Sequence, residues 1–454
     1  MWTACFAHPA AGTRKAGLDG HGLCLVFIMT NPTLLDLTPL FSVMLTGLLL
    51  ALGPLAWVWV RKRRDPAVHR LHLLTLVTLF LTFDLVLFGA FTRLSDSGLG
   101  CPDWPGCYGS ASPVGAQVHI DAAQTALPSG PVTHPKAWIE MIHRYLATAV
   151  GVLILTLALA TFAARKATLS AQSLLGGQRV TRATERVGQM PLIWPVFTLL
   201  WVCLQGAFGA LTVTMKLFPA IVTLHLLGGL VLLALLRAQS VFYGRAFEKM
   251  QGFVRPRLIS AGTRRLLLIG FGLLWLQIAL GGWVSTNYAV LACTEFPACQ
   301  GSLWPEMRFA EGFTLWRELG AGVGGGNITF QALTAIHYVH RLAAYVVFAV
   351  LLVLAGLLFA KPVFRRDALW LGALLVLQAA SGLGNVLLGW PLLAALLHTG
   401  GAAGLVVVLT GVVSSSRVGA EPRGAEPAAP PRKLARVQTG RETDQKIDPS
   451  GLPS

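Results

Sequence analysis

The sequence predicts an all-α polytopic membrane protein: two pseudosymmetric four-helix bundles plus one extra N-terminal transmembrane helix. Three observations predict it. Of 454 residues, 54% are hydrophobic and only 12% charged, and the mean hydropathy is +0.63, a balance that marks membrane-spanning chains rather than soluble enzymes. The apolar residues gather into nine runs, at about 38–60, 71–92, 138–164, 191–214, 219–240, 266–287, 331–359, 368–389 and 391–412. Each is near the roughly 20 residues that a bilayer requires. The third observation is an internal repeat.

Residues 1–37 are an unpatterned N-terminal extension; Leu23 to Met29 is too short to span, and Met29 is an alternative start. The run at 38–60 is the extra helix. Residues 71–240 form the N-terminal four-helix half, 241–265 a linker and 266–412 the C-terminal half. Residues 413–454, rich in Pro, Ala, Arg and Glu, read as a disordered tail.

A net charge of +16 could suggest nucleic acid. Here the cations lie in short loops, so they set topology, and no nucleic acid is expected. Arg61-Lys62-Arg63-Arg64, the cluster from Arg165 to Arg186, the cluster from Arg245 to Arg265, and Lys361, Arg365 and Arg366 all mark cytoplasmic loops. The alternate loops, about 93–137 and 288–330, hold only Arg93, Lys136, Arg308 and Arg317 and are expected outside. The N-terminus is then periplasmic and the tail cytoplasmic.

The repeat is visible in GAFTRLSDSGLGCPDWPGCYG (89–109) against GGWVSTNYAVLACTEFPACQG (281–301). A constant offset of 192 aligns Gly89 with Gly281, both cysteine pairs, Pro105 with Pro297 and Gly109 with Gly301. Further on, Leu204-Gln205 matches Leu377-Gln378, Gly209 matches Gly382, and each Gln precedes a histidine, His225 or His398, by 20 residues. Both halves enter the membrane in the same sense, so the repeat is parallel.

Four histidines fall at matching places: His143 and His225 in the first half, His340 and His398 in the second. Each lies on the order of 10 Å below the outer boundary at the rise of an α-helix. Two imidazoles facing across a bundle can hold a haem iron, and bundle cores are where cofactors are built in. Zinc or copper fits less well, because two His per half leave coordination unfilled. Glu140 lies one turn outward of His143; it is either an interfacial carboxylate or a charge beside a porphyrin edge. The second half has His337 in its place. Cys101/Cys107 and Cys293/Cys299 form two C-x5-C pairs in the expected outer loops, where disulfides persist. A structural staple is the favoured reading, a redox-active pair the alternative. Trp104-Pro105 and Phe296-Pro297 look like lids. Asp84 either hydrogen-bonds locally or belongs to a proton path, Gln205 and Gln378 bond between helices, and Cys203 packs. His69, His72, His119 and His134 are assigned to no haem.

TRLSDSGLGCPDWPGC (92–107), EMIHR (140–144), His225, His340-Arg341 and LHTGG (397–401) resemble the haem A synthase family, in its proteobacterial form. The resemblance covers about residues 70–412. It implies a cell inner membrane enzyme that oxidises the C8 methyl of haem O to a formyl group, through a hydroxylated intermediate, giving haem A for cytochrome c oxidase. It implies Glu140 as the required carboxylate, His143 and His225 flanking substrate haem O, and His340 and His398 holding a haem b. It also implies disulfides Cys101–Cys107 and Cys293–Cys299. Haem O synthase, cytochrome oxidase assembly factors, the lipid bilayer and an electron acceptor of unassigned identity are the expected partners, with a homo-oligomer left open. The extra first span departs from the family pattern. A di-haem b electron-transfer subunit needs the same histidines but not Glu140 or the cysteine loops. A repeat-built transporter needs spans broken near mid-membrane.

Overall fold

The computed structural model describes residues 38–174, 192–252, 256–322 and 325–419. The N-terminal extension with its alternative start, and the tail beyond residue 419, lie outside the described residues. Among the described residues, nine helices are long and apolar enough to cross a membrane. They are α1 (Thr38–Arg61), α2 (Ala67–Leu94), α4 (His134–Leu174), α5 (Ile193–Thr214), α6 (Pro219–Met250), α7 (Ala261–Thr286), α8 (Phe330–Phe359), α9 (Arg365–Leu387) and α10 (Leu392–Ser415). A short helix, α3 (Gln117–Ala126), lies in the first long loop.

The expected spans are all present, with helices that outrun several of them. α4 continues to Leu174 and α6 to Met250, past the apolar stretch into polar sequence such as Arg245 and Lys249. Hydropathy marks only the part of a helix that lies in lipid; good helix formers carry the rest onward. Helix starts follow local chemistry. Pro219 opens α6, Ser260 caps α7 by accepting from the Thr263 N–H at 3.2 Å, and Thr329 caps α8 by accepting from the Ala332 N–H at 3.3 Å. Inside α2, the hydroxyls of Thr75, Thr78 and Thr82 donate to carbonyls four residues back, at 2.7, 2.8 and 2.7 Å. That satisfies polar groups which would be costly in lipid.

From Pro39 onward the described residues form one compact unit. α2, α4, α5 and α6 pack in a ring, each on the next and α6 back on α2; α7, α8, α9 and α10 repeat that ring. The rings join where α6 meets α7 and α10, and where α2 meets α10. A buried aliphatic cluster, including Leu230, Leu233, Leu274, Leu351 and Leu409, fills this seam. α1 sits against the first ring, where Gly47 meets Thr148 and Ala51 and Val58 pack with Leu71 and Leu153.

Two contacts at the seam fix the relation between halves. Arg93 donates to the Ser285 carbonyl at 2.7 Å, and the Tyr288 hydroxyl donates to Asp96 at 2.8 Å. Both pairs are 192 residues apart, the offset of the repeat. A residue can touch its own counterpart only beside a two-fold axis, so the axis passes here and runs along the helices. The Arg93 guanidinium also lies 4.0 Å from the centre of the Tyr288 ring. Burial, with the Asp96 carboxylate it faces, pushes the Tyr288 phenol up against the opposing pull of Arg93, so it stays protonated and donating.

The cysteine loops repeat too. Both pairs are disulfide-bonded, Cys101–Cys107 and Cys293–Cys299. Each loop has a cis X–Pro bond, at Trp104–Pro105 and Phe296–Pro297. Each closes on a tight turn, with Cys107 and Ser110, or Cys299 and Ser302, exchanging backbone hydrogen bonds. The two central residues of each turn are left-handed, Tyr108 and Gly109 at φ 48° and 71°, Gln300 and Gly301 at 56° and 72°, which is why glycine holds the second place.

The second loop is braced against the start of α8. Glu311 accepts from the Thr329 hydroxyl at 2.7 Å and the Thr329 N–H at 2.9 Å. These two bonds hold the Glu311 carboxyl below its ordinary value of 4.5. A lowered pKa means that the brace is fully present above that value and is lost as pH falls through the folded one. Hydrogen-exchange protection factors at residues 329–333, corrected for the intrinsic pH dependence of exchange, should therefore fall on acidification below about pH 4.5, and Glu311→Gln should abolish that change.

Candidate functional site

One cavity of about 1500 Å³ runs across both rings. Small-molecule pockets are on the order of 300–1,000 Å³, so this one has room for more than one large ligand. Its wall carries all four repeated histidines, His143, His225, His340 and His398, together with Glu140 and His337. His69, His72, His119 and His134 are not on it. Asp84 is exposed and also off the cavity wall, and Cys203, expected to pack, is exposed.

Each histidine rests on a glycine of a neighbouring helix. A methyl added at Gly89 would lie 3.0 Å from Cε1 of His143, and one at Gly281 would lie 2.9 Å from Cε1 of His340. The same measure gives 3.5 Å for Gly209 with His225 and 3.2 Å for Gly382 with His398. These glycines are repeat-related; a side chain at Gly89, Gly281 or Gly382 would press on an imidazole, and one at Gly209 would lie in ordinary contact with it. A second repeated contact places the amides of Gln205 and Gln378 against Gly228 and Gly401. Gln378 bonds between helices as expected, donating to the His398 carbonyl at 2.7 Å; Gln205 keeps a buried Oε1 with no partner.

The second-half rings lie with centroids 6.5 Å apart and planes at 78° to one another. An imidazole nitrogen binds a metal at about 2 Å, so two rings on opposite sides of one iron have centroids roughly 6 Å apart. The pair fits a haem iron between its members. Around it the wall is mostly apolar, as a porphyrin face requires. His143 stacks on Phe88 at 6.3 Å, and its Nδ1 and that of His225 are buried without a partner.

Glu140 is buried, 3% exposed, and is no headgroup carboxylate. Its Oε2 accepts from the Cys101 N–H at 2.8 Å and its Oε1 pairs with Arg144. Arg144 in turn donates to the carbonyls of Asp103 at 2.9 Å, Pro105 at 3.3 Å and Gly106. One guanidinium thus ties the carboxylate to the first disulfide loop. In the second half Arg341 takes the matching place, donating to the carbonyls of Pro297 at 3.4 Å and Ala298 at 3.0 Å. With His337 where Glu140 would be, Arg341 meets no carboxylate among the described residues. Both arginines stood in the HR motifs, but sequence reasoning gave them no task. The i, i+4 spacing from Glu140 to Arg144 was the available signal. Trp104, Pro105 and Phe296 are among the residues that line the cavity.

Fold and site together define a class: a polytopic helical membrane protein with two histidine pairs in one cavity and a single buried carboxylate beside the first. A family model described as cytochrome oxidase assembly protein matches residues 72–410, and the chain belongs to that family. Relatives include the Heme A synthase of Shewanella oneidensis, 37% identical over 339 residues, which span 73% of this chain and 92% of that protein. The Heme A synthase of Mesorhizobium japonicum is 30% identical over 341 residues, 71% of this chain and 84% of that protein.

Removing one partner of a buried ion pair costs about 3–5 kcal/mol, because the other charge is left uncompensated. Arg144→Leu should destabilise the purified protein by that order, whereas Arg341→Leu, which strands only carbonyls, should cost less. Thermal melting of the two variants in detergent compares them directly.

Proposed function

We propose that this chain is a haem A synthase of the cell inner membrane, oxidising the C8 methyl of haem O to a formyl group for cytochrome c oxidase. The observation that carries the reading is the asymmetric cavity: two histidine pairs in the fold of this family, with one buried carboxylate beside the first pair alone. In this reading the half at 71–240 receives substrate haem O between His143 and His225. The half at 266–412 holds a haem b through His340 and His398. The cysteine-loop end faces the periplasm and the C-terminal tail the cytoplasm.

Converting a methyl to a formyl removes four electrons and four protons overall and takes its oxygen from water. The resident haem b, when bound, supplies one-electron redox chemistry. The chain's own residues do the rest. His143 and His225 orient the substrate plane. The lids, Trp104 and Phe296, limit water. Glu140 is the one anion on the first-half wall, and it stabilises positive charge developing at the substrate's methyl carbon or takes a proton from it. Arg144 pairs with that carboxylate and holds its aim until substrate arrives. His340 and His398 would hold the haem b in the same cavity, where it could carry electrons toward an acceptor outside the chain. The other partners are haem O synthase as the source of substrate and oxidase assembly factors as the destination of product.

Loss of one preorganised charge-stabilising group costs roughly 100- to 1,000-fold in rate. Glu140→Gln, supplied with haem O in cells, should therefore yield extracted haem O, or its hydroxylated form, in place of haem A. Normal haem A yield without that build-up would remove Glu140 from the mechanism. Recovery of haem B alone from the wild-type protein, with no haem O or haem A in any preparation, would instead favour a di-haem electron-transfer protein.

A further inference from the structure

The two histidine pairs are gripped differently, and the difference lies in residues that the repeat has exchanged. Behind His398, the Ser381 hydroxyl donates to the Leu377 carbonyl at 2.6 Å and lies 3.1 Å from the His398 Nδ1. Since its proton is already given to the carbonyl, the hydroxyl meets Nδ1 as an acceptor. His398 must then carry its proton on Nδ1, leaving the Nε2 lone pair for a metal. Beside His340, the Gln277 amide nitrogen donates to the His340 carbonyl at 3.1 Å and lies 3.1 Å from Nδ1, toward which it can only donate, so it gives that ring no acceptor. In the first half the equivalent positions are Leu85, by the offset that pairs Gly89 with Gly281, and Phe208, by the offset that pairs Gly209 with Gly382. Neither can accept or donate. His143 Nδ1 and His225 Nδ1 are both buried with no partner.

We infer that Ser381 is the positioning residue that makes the second pair a retaining site, while Phe208 in its place leaves the first pair an exchanging one. The inference rests on the reading that a haem b occupies the second half. An acceptor on Nδ1 fixes the ring's orientation and raises the basicity of the metal-binding nitrogen, so it tightens the bond to iron and favours the ferric state. Without one, an imidazole remains a ligand of lower basicity that its partner can leave. A substrate must enter and a product must depart, whereas a resident electron carrier must do neither.

The test compares purified wild type with Ser381→Ala, Ser381→Thr and Phe208→Ser. Each is read by haem retained per polypeptide after extended washing and by redox titration of the bound low-spin haem. Ser381→Ala should release the second-half haem roughly 10- to 100-fold faster. Its midpoint potential should rise, by about 59 mV for each tenfold loss of ferric over ferrous binding. Ser381→Thr, which keeps the hydroxyl, should restore both. Phe208→Ser should prolong retention of haem O in the first half. Should Ser381→Ala not fold, Phe208→Ser carries the test on the first pair. Wild-type retention and potential in Ser381→Ala, or unchanged haem O retention in Phe208→Ser, would overturn the inference. His398→Ala separates this from the parent reading: if that variant keeps a full complement of low-spin haem b, the assignment of the second pair itself fails.

Discussion

An imidazole lying on a glycine is the contact on which the rest of this structure depends. It occurs four times, on Gly89, Gly209, Gly281 and Gly382, and it brings helix against helix closely enough to set each ring's position. In a bilayer there is no hydrophobic drive to hold helices together, so small residues at crossings do that work. Here the same small residues leave space for a ring. Helix packing and site geometry are therefore one constraint: a side chain that parted the helices would also displace a ligand.

The two-fold axis explains why the site is shared. Residues that meet their own counterparts, Arg93 with Ser285 and Asp96 with Tyr288, hold the halves together at the end that bears the cysteine loops. The histidine pairs lie below that clamp and open into one cavity. A duplicated bundle supplies two equal pockets, and divergence at a few positions then separates their tasks. The exchange of Glu140 for His337 changes which pocket carries an anion. The exchanges of Leu85 for Gln277 and Phe208 for Ser381 change what stands behind each ring.

Much of this was legible in the sequence, for physical reasons. Spans are readable because lipid demands about 20 apolar residues at each crossing, and an ionisable residue within one stands out. The four histidines and Glu140 were visible on that ground, and the repeat supplied their pairing. The ends of α4 and α6 were missed because hydropathy is blind to helix outside lipid. Cys203 was read as packed because depth along a helix is visible in sequence while facing direction is not. The roles of Arg144 and Arg341 were hidden because their targets are backbone carbonyls of Asp103, Pro105 and Ala298, and a carbonyl has no letter of its own. Ser381 was not singled out, because the meaning of a hydroxyl in an apolar helix appears only when the ring it touches is known.

The first pocket's carboxylate also has to be reconciled with its burial. An ionised glutamate in an apolar wall is costly unless paired, and pairing it too well would leave it no capacity to act. The observed arrangement meets both demands. Glu140 shares Arg144 with the loop carbonyls of residues 103, 105 and 106, so the cation's field is divided between one charge and several dipoles. A divided cation stabilises the anion enough to keep it in the protein, yet leaves it able to respond to a positive charge arriving in the cavity. The second half keeps the arginine and the loop but not the carboxylate. The loop contact is thus the structural duty that both arginines share, and custody of Glu140 is the duty that distinguishes the first half.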